Sequence, residues 1–210
     1  RTVYTSSKNR SVYDITNIFF RAAGLAPTAK YTFEDGSLAP GDKMSTGNPA
    51  YYLNKMRGKN SNGNLTITIN GYWEILPGLS FNPQFSLWKE TADNYSFMPS
   101  YLNGVKNWNT TRQASSSYNK WTQTQVDAIL TYKKGFNGHN IDLTGGFSYF
   151  DKTSYAFYAG GKDALTDLIP TLNASSTYSY MSGNDSEYLM FSYFGRINYD
   201  YKHRYLFSAN

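Results

Sequence analysis

The sequence has no cysteine, which removes disulfide frameworks, thiol nucleophiles and cysteine metal sites together. It also lacks any run of about 18 apolar residues, so no helix of it spans a bilayer. A membrane barrel escapes that test, because its strands alternate apolar and polar residues. Aliphatic core material is scarce. The hydrophobic share of 40% includes 20 tyrosines, and without them it falls to roughly 30%, low for a soluble domain. Charge is sparse as well: 17% of residues are charged, and the net +5 comes from scattered basic positions. That pattern argues against a nucleic-acid partner.

Chemistry-bearing motifs are equally thin. The two histidines, His139 and His203, sit beside turn signals with no second histidine at ligand spacing. They read as solvated turn residues, and no metal is expected. No G-x-S-x-G elbow occurs. Gly160-Gly161-Lys162 lacks the Ser or Thr and the earlier glycine of a phosphate loop. Asp35-Gly36 and Asn184-Asp185 lack the acidic ladder of a calcium loop. No catalytic residue and no cofactor is expected, so the chain does not read as an enzyme.

What is abundant is aromatic: 20 Tyr, 13 Phe and 4 Trp. A disordered tail is aromatic-poor, so these rings are packed or membrane-facing. Many stand in period-two order, the signature of half-buried strands. In 65–75, Leu65, Ile67, Ile69, Gly71, Trp73 and Ile75 alternate with polar positions, and Pro77-Gly78 marks a turn. Leu79, Phe81, Phe85 and Leu87 continue the pattern, with Pro83 expected as a bulge or weakly paired site. A second hairpin pairs 121–134 with 139–151 around Asn137-Gly138, a strong hairpin turn. A third pairs 188–201 with 205–210 around Lys202-His203. Residues 1–61 read as loop-rich, with a helix or strand between Asp14 and Ala23 and loops at Ala26-Pro27 and Ala39 to Asp42.

The connections are unequal. Tight turns contrast with long loops expected over 93–117 and 154–187, the second containing a short helix from Ala164 to Ile169 stopped by Pro170. Short turns at one end and long loops at the other are the asymmetry of an outer-membrane barrel. Outward aromatics collect beside the short turns (Trp73, Tyr132, Tyr199, Tyr201, Tyr205), with Lys133, Lys134, Lys202 and Arg204 beyond them, as an interfacial girdle requires. The fold class is therefore all-β: an antiparallel transmembrane β-barrel segment of six or more strands. A soluble or surface-attached all-β carbohydrate-binding or adhesin domain shares the alternation and stays open at this point.

Particular stretches resemble a known family. They are Asn48-Pro49-Ala50-Tyr51-Tyr52-Leu53, Gly138-His139-Asn140-Ile141, Thr166-Asp167-Leu168-Ile169-Pro170, and the run Ser192 to Lys202 with Arg204-Tyr205-Leu206-Phe207. Together they are similar to the SusC/RagA family of TonB-linked outer-membrane transporters from Bacteroidetes-type bacteria. The resemblance implies a bacterial outer-membrane location and a barrel of roughly 22 strands, with 1–210 a partial barrel domain and the plug domain absent from this chain. It further implies import of oligosaccharides or peptides, with a SusD-like surface lipoprotein as lid and TonB as energy source. Loop aromatics among amide and hydroxyl side chains are the candidates for contact with substrate or lid: Tyr101, Trp108, Tyr155, Tyr158, Tyr178 and Tyr180.

Overall fold

A computed structural model describes residues 2–9, 15–41, 47–103 and 107–210. Its frame is one eight-stranded antiparallel sheet. In chain order, β1 (Thr2–Asn9) precedes helices α1 (Ile15–Ala23) and α2 (Pro49–Lys55). Strands β2 (Arg57–Asn70), β3 (Trp73–Leu76) and β4 (Leu79–Met98) follow, then the small strands β5 (Tyr101–Asn103) and β6 (Asn107–Asn109). The rest is β7 (Gln113–Phe136), β8 (His139–Ala164), β9 (Ser175–Tyr201) and β10 (Tyr205–Ala209). Neighbours across the sheet run β1, β2, β4, β7, β8, β9, β10, with β3 also on β4, while β5 and β6 pair separately. The three expected hairpins are present and antiparallel.

Register explains why the alternation is so regular. Ile67 pairs with Leu87, Phe85 with Val126, Ala128 with Phe147, Phe147 with Tyr193, and Phe207 with Tyr199. Paired residues share a face. These apolar pairs therefore fall on one surface, about nine residues tall, which matches the depth a tilted strand crosses in a bilayer. No second sheet covers this surface among the described residues. Trp73 is 64% and Tyr193 80% exposed on it, and a soluble sandwich would have buried them.

The turns follow the sequence signals. Asn137 (φ 46) and Gly138 (φ 82) form a two-residue hairpin turn between the paired Phe136 and His139. Positive φ at both positions is what Asn-Gly supplies. The strand expected over 65–75 breaks at Gly71–Tyr72. Gly71 donates its N–H to the Pro83 carbonyl at 2.8 Å, and Pro83 has no N–H to return.

Two expectations need correction. The long irregular loops at 93–117 and 154–187 are mostly strand: β4 runs to Met98, β7 starts at Gln113, β8 runs to Ala164 and β9 starts at Ser175. Both faces of these extensions are polar enough to hide the period-two signal, yet backbone pairing continues without it. The expected helix from Ala164 to Ile169 is absent. Thr166 Oγ1 accepts from the Leu168 N–H, and this local bond competes with helix formation. A single 3₁₀ turn, Leu172–Ala174, follows Pro170 instead.

His139 also departs from the solvated-turn reading. Its ring stacks on Phe136 with centroids 5.1 Å apart, lies 4.5 Å from Tyr201, and meets the Tyr199 hydroxyl at 2.7 Å. It belongs to the aromatic girdle. His203 does sit exposed in its turn, held by Asp200.

Between Asp14 and Ala23 the chain forms α1, with Asp14 outside the described residues, as is Asp42 of the expected loop. The compact core lies at the end away from the short turns, where Tyr52, Met56 and Tyr101 pack with Ile18, Tyr51 and Met98. Asn48 (1% exposed) organises it. Its side chain accepts from the Ala50 N–H, capping α2, and donates to the carbonyls of Tyr31 and Ala39. That accounts for the Asn-Pro-Ala stretch: cap, first-turn proline, helix.

Candidate lumenal binding surface

The face opposite the apolar band carries amides and hydroxyls in straight rows. Above the band one row reads Asn60, Asn94, Ser117, Tyr158 and Ser182 across β2, β4, β7, β8 and β9. The row below its neighbour reads Asn64, Glu90, Trp121, Ser154 and Ser186. These groups bond across strands: Asn94 Nδ2 to Ser117 Oγ at 3.3 Å, Ser154 to Ser186 at 2.7 Å, and Tyr158 Oη to Asn119 Oδ1 at 2.8 Å. Nearer the short turns, Asp127 accepts from Ser148 Oγ at 2.5 Å and Gln125 Nε2 at 2.9 Å. A carboxylate at that depth is tolerable because it faces water and is hydrogen-bonded.

Within this face a groove of about 460 Å³ is lined by Trp121, Phe150 and Tyr188 together with Gln123, Lys152, Ser154 and Ser186. Phe150 and Tyr188 meet edge to face at 6.1 Å. Flat rings beside amide, hydroxyl and ammonium groups suit a ligand with both apolar faces and hydroxyl or carbonyl groups.

The six aromatic candidates separate. Tyr158 and Tyr180 stand on the polar face. Trp108, on β6, and Tyr178, beyond the irregularity at Gly160/Gly161, are exposed at the rim. Tyr155 stands on the outward face, its ring 6.4 Å from that of Tyr118. Tyr101 (8% exposed) is buried edge-on against Tyr52 at 5.7 Å and serves the core. Sequence reasoning missed Trp121, Phe150 and Tyr188. The signal was present: the polar phase of Gln125 and Asp127 continues back through Gln123 to Trp121.

At the rim the two β–β connections are tied together. Arg112 Nε donates to Asp167 Oδ1 at 2.6 Å and Nη1 to the Ala164 carbonyl at 3.1 Å. Ser100 donates its N–H and hydroxyl to the same carboxylate at 2.8 and 2.6 Å. Burial pushes Asp167 up, but these hydrogen bonds and the Arg112 charge outweigh it and hold the carboxyl below its ordinary value.

Comparison with known proteins agrees with this architecture. No family model matches the chain. Over 138 residues, 65% of its length, it is 28% identical to TonB-dependent receptor P3 of Formosa agariphila. The RagAB peptide transporter shares its fold at TM-score 0.68 and 15% identity over 80% of this chain. The RagAB peptide importer in the "open-open" state does so at 0.68 and 16%. The chain has the fold of a barrel segment and is similar to TonB-dependent-receptor-type outer-membrane proteins.

The resemblance to SusC/RagA-type transporters read from the sequence is thereby borne out. The barrel segment spans 14% of the length of the curated relative and 20% of the RagAB transporter chain. In a closed barrel of that fold the apolar band is the side that meets lipid and the polar face is the side that lines the lumen.

Proposed function

We propose that the barrel segment forms part of the lumen wall and outer vestibule of an active importer for oligosaccharides or peptides. In this reading a SusD-like surface lipoprotein acts as lid and TonB supplies energy through parts of the protein outside the segment. The wall binds and passes its ligand and performs no catalysis. One observation carries the reading: a continuous amide, hydroxyl and aromatic surface runs from the short turns to the ends of the long ribbons, directly behind the lipid-facing band. A simple structural barrel needs no aromatic groove on its inner wall.

Uptake tests it. Host cells deleted for the full-length protein are given fluorescent oligosaccharide and peptide mixtures, and the full-length gene is restored in parallel. Loss of uptake of either mixture, regained on restoration and accompanied by co-purification of a surface lipoprotein, is the expected result. Unchanged uptake of both mixtures overturns the proposal.

A further inference from the structure

At the outer end of the lumen wall, small residues form a single row. Gly58, Ser96, Ser115 and Gly160 are paired side by side across β2, β4, β7 and β8. The row ends at Tyr180 on β9, paired with Gly160. The hydroxyls of Ser96 and Ser115 lie 2.7 Å apart.

Tyr180 leans back along this floor. A Cβ on residue 160 would fall 2.5 Å from Tyr180 Cζ and 2.9 Å from Cδ1. The ring occupies that place because Gly160 has no side chain. With 53% of the residue exposed, one side of the ring is open to a groove of about 440 Å³ that Gln113 and Lys162 also line.

We propose that this row is a sugar-ring subsite. It rests on the import reading and deepens it by naming the ligand class. A pyranose lies on the glycine–serine floor with its apolar C–H face against Tyr180, while Ser96, Ser115, Gln113 and Lys162 meet its hydroxyls. Tyr180 is the contact residue and Gly160 the positioning residue that keeps the ring flat. A peptide is disfavoured here by the sheet itself. Residues of β7 and β8 already pair on both sides, so there is no free strand edge for main-chain recognition.

The test uses the full-length protein in detergent, probed with an array of neutral oligosaccharides and with a peptide library. Wild type is expected to retain oligosaccharides. Gly160→Ala, which keeps the tyrosine but tips its ring, and Tyr180→Leu each weaken binding about tenfold, the size of one lost aromatic contact. Tyr180→Phe stays within about twofold, since the face rather than the hydroxyl does the stacking. Heat-modifiable gel mobility identifies any variant that fails to fold. Folded Gly160→Ala and Tyr180→Leu proteins that bind oligosaccharides like wild type overturn the subsite and leave import standing. Retention of peptides alone overturns the ligand class, again with import intact. Retention of neither overturns the subsite, and the cell-uptake assay then judges import on its own.

Discussion

Arg112 and Asp167 lie 55 residues apart in sequence and are joined by a 2.6 Å hydrogen bond between Nε and Oδ1. The pair closes the β4–β7 connection onto the β8–β9 connection, with Ser100 as the third member. Both side chains keep partial access to water, so the contribution is local. Asp167→Asn or Arg112→Ala should cost about 1 kcal/mol of local stability. Hydrogen exchange on the full-length protein should show faster exchange over 163–169 and 99–103 with the membrane band unchanged. Equal protection in the variants would remove the clasp from the account of the rim.

The same pair makes a pH prediction. The folded-state pKa of Asp167 is depressed, so its contribution is present above the unfolded value and is lost only as pH falls through the lower folded one. Protection of 163–169 should therefore be flat between about pH 5 and 8 and fall only in stronger acid. A loss near pH 6 would point to a different titrating group.

Much of this fold was legible in the sequence, and the limits are physical. Where one face meets lipid, as at Leu130, Phe147 and Tyr193, the apolar residues mark every second position and expose strand, register and face together. Where both faces meet water, as at Ser115–Tyr118 or Asn184–Glu187, the marking vanishes although the ladder continues. That is why β7, β8 and β9 each continue well past the expected strand. Pro83 and Asn137-Gly138 were readable because they act through the local backbone. Tyr101, Tyr155 and Tyr180 were indistinguishable as loop aromatics, since core, outer face and lumen wall are separated only by long-range pairing. The Asp167 clasp had no local signal at all.

The barrel segment alone should not be stable in water. Among the described residues both edges of its sheet are unpaired, and its outer face exposes Trp73, Tyr193 and Phe207. Expressed as 1–210 without detergent, it should aggregate. A monodisperse soluble monomer with a cooperative melt would contradict the lipid-facing assignment of the apolar band.

Orientation can be read by labelling. The chain contains no cysteine, so single substitutions in the full-length protein give a clean background over this region. Trp108→Cys and Tyr178→Cys, on the long-ribbon side, should react with an impermeant maleimide on intact cells. Lys134→Cys, beside the Asn137-Gly138 turn, should react only after the outer membrane is opened. Reversed access would invert the barrel segment and move the proposed vestibule to the other side.

The sharpest consequence of the register concerns which side chains meet lipid. Ala128 pairs with Phe147 and Leu130 with Gly145 on the apolar face, while Asp127 pairs with Ser148 and Gln125 with Phe150 on the polar one. Leu130→Arg or Phe147→Arg places a charge in hydrocarbon and should cost about 2–4 kcal/mol near the midplane. Gln125→Arg and Ser148→Arg meet water, and the Asp127 carboxylate that Gln125 and Ser148 now bond lies within reach of either guanidinium. Those two should assemble nearly as wild type and alter passage through the lumen instead. A one-residue slip would exchange the outcomes, because it moves every side chain to the opposite face. Heat-modifiable gel mobility of the full-length variants decides it: a folded Phe147→Arg barrel beside a misfolded Ser148→Arg one would turn the sheet inside out.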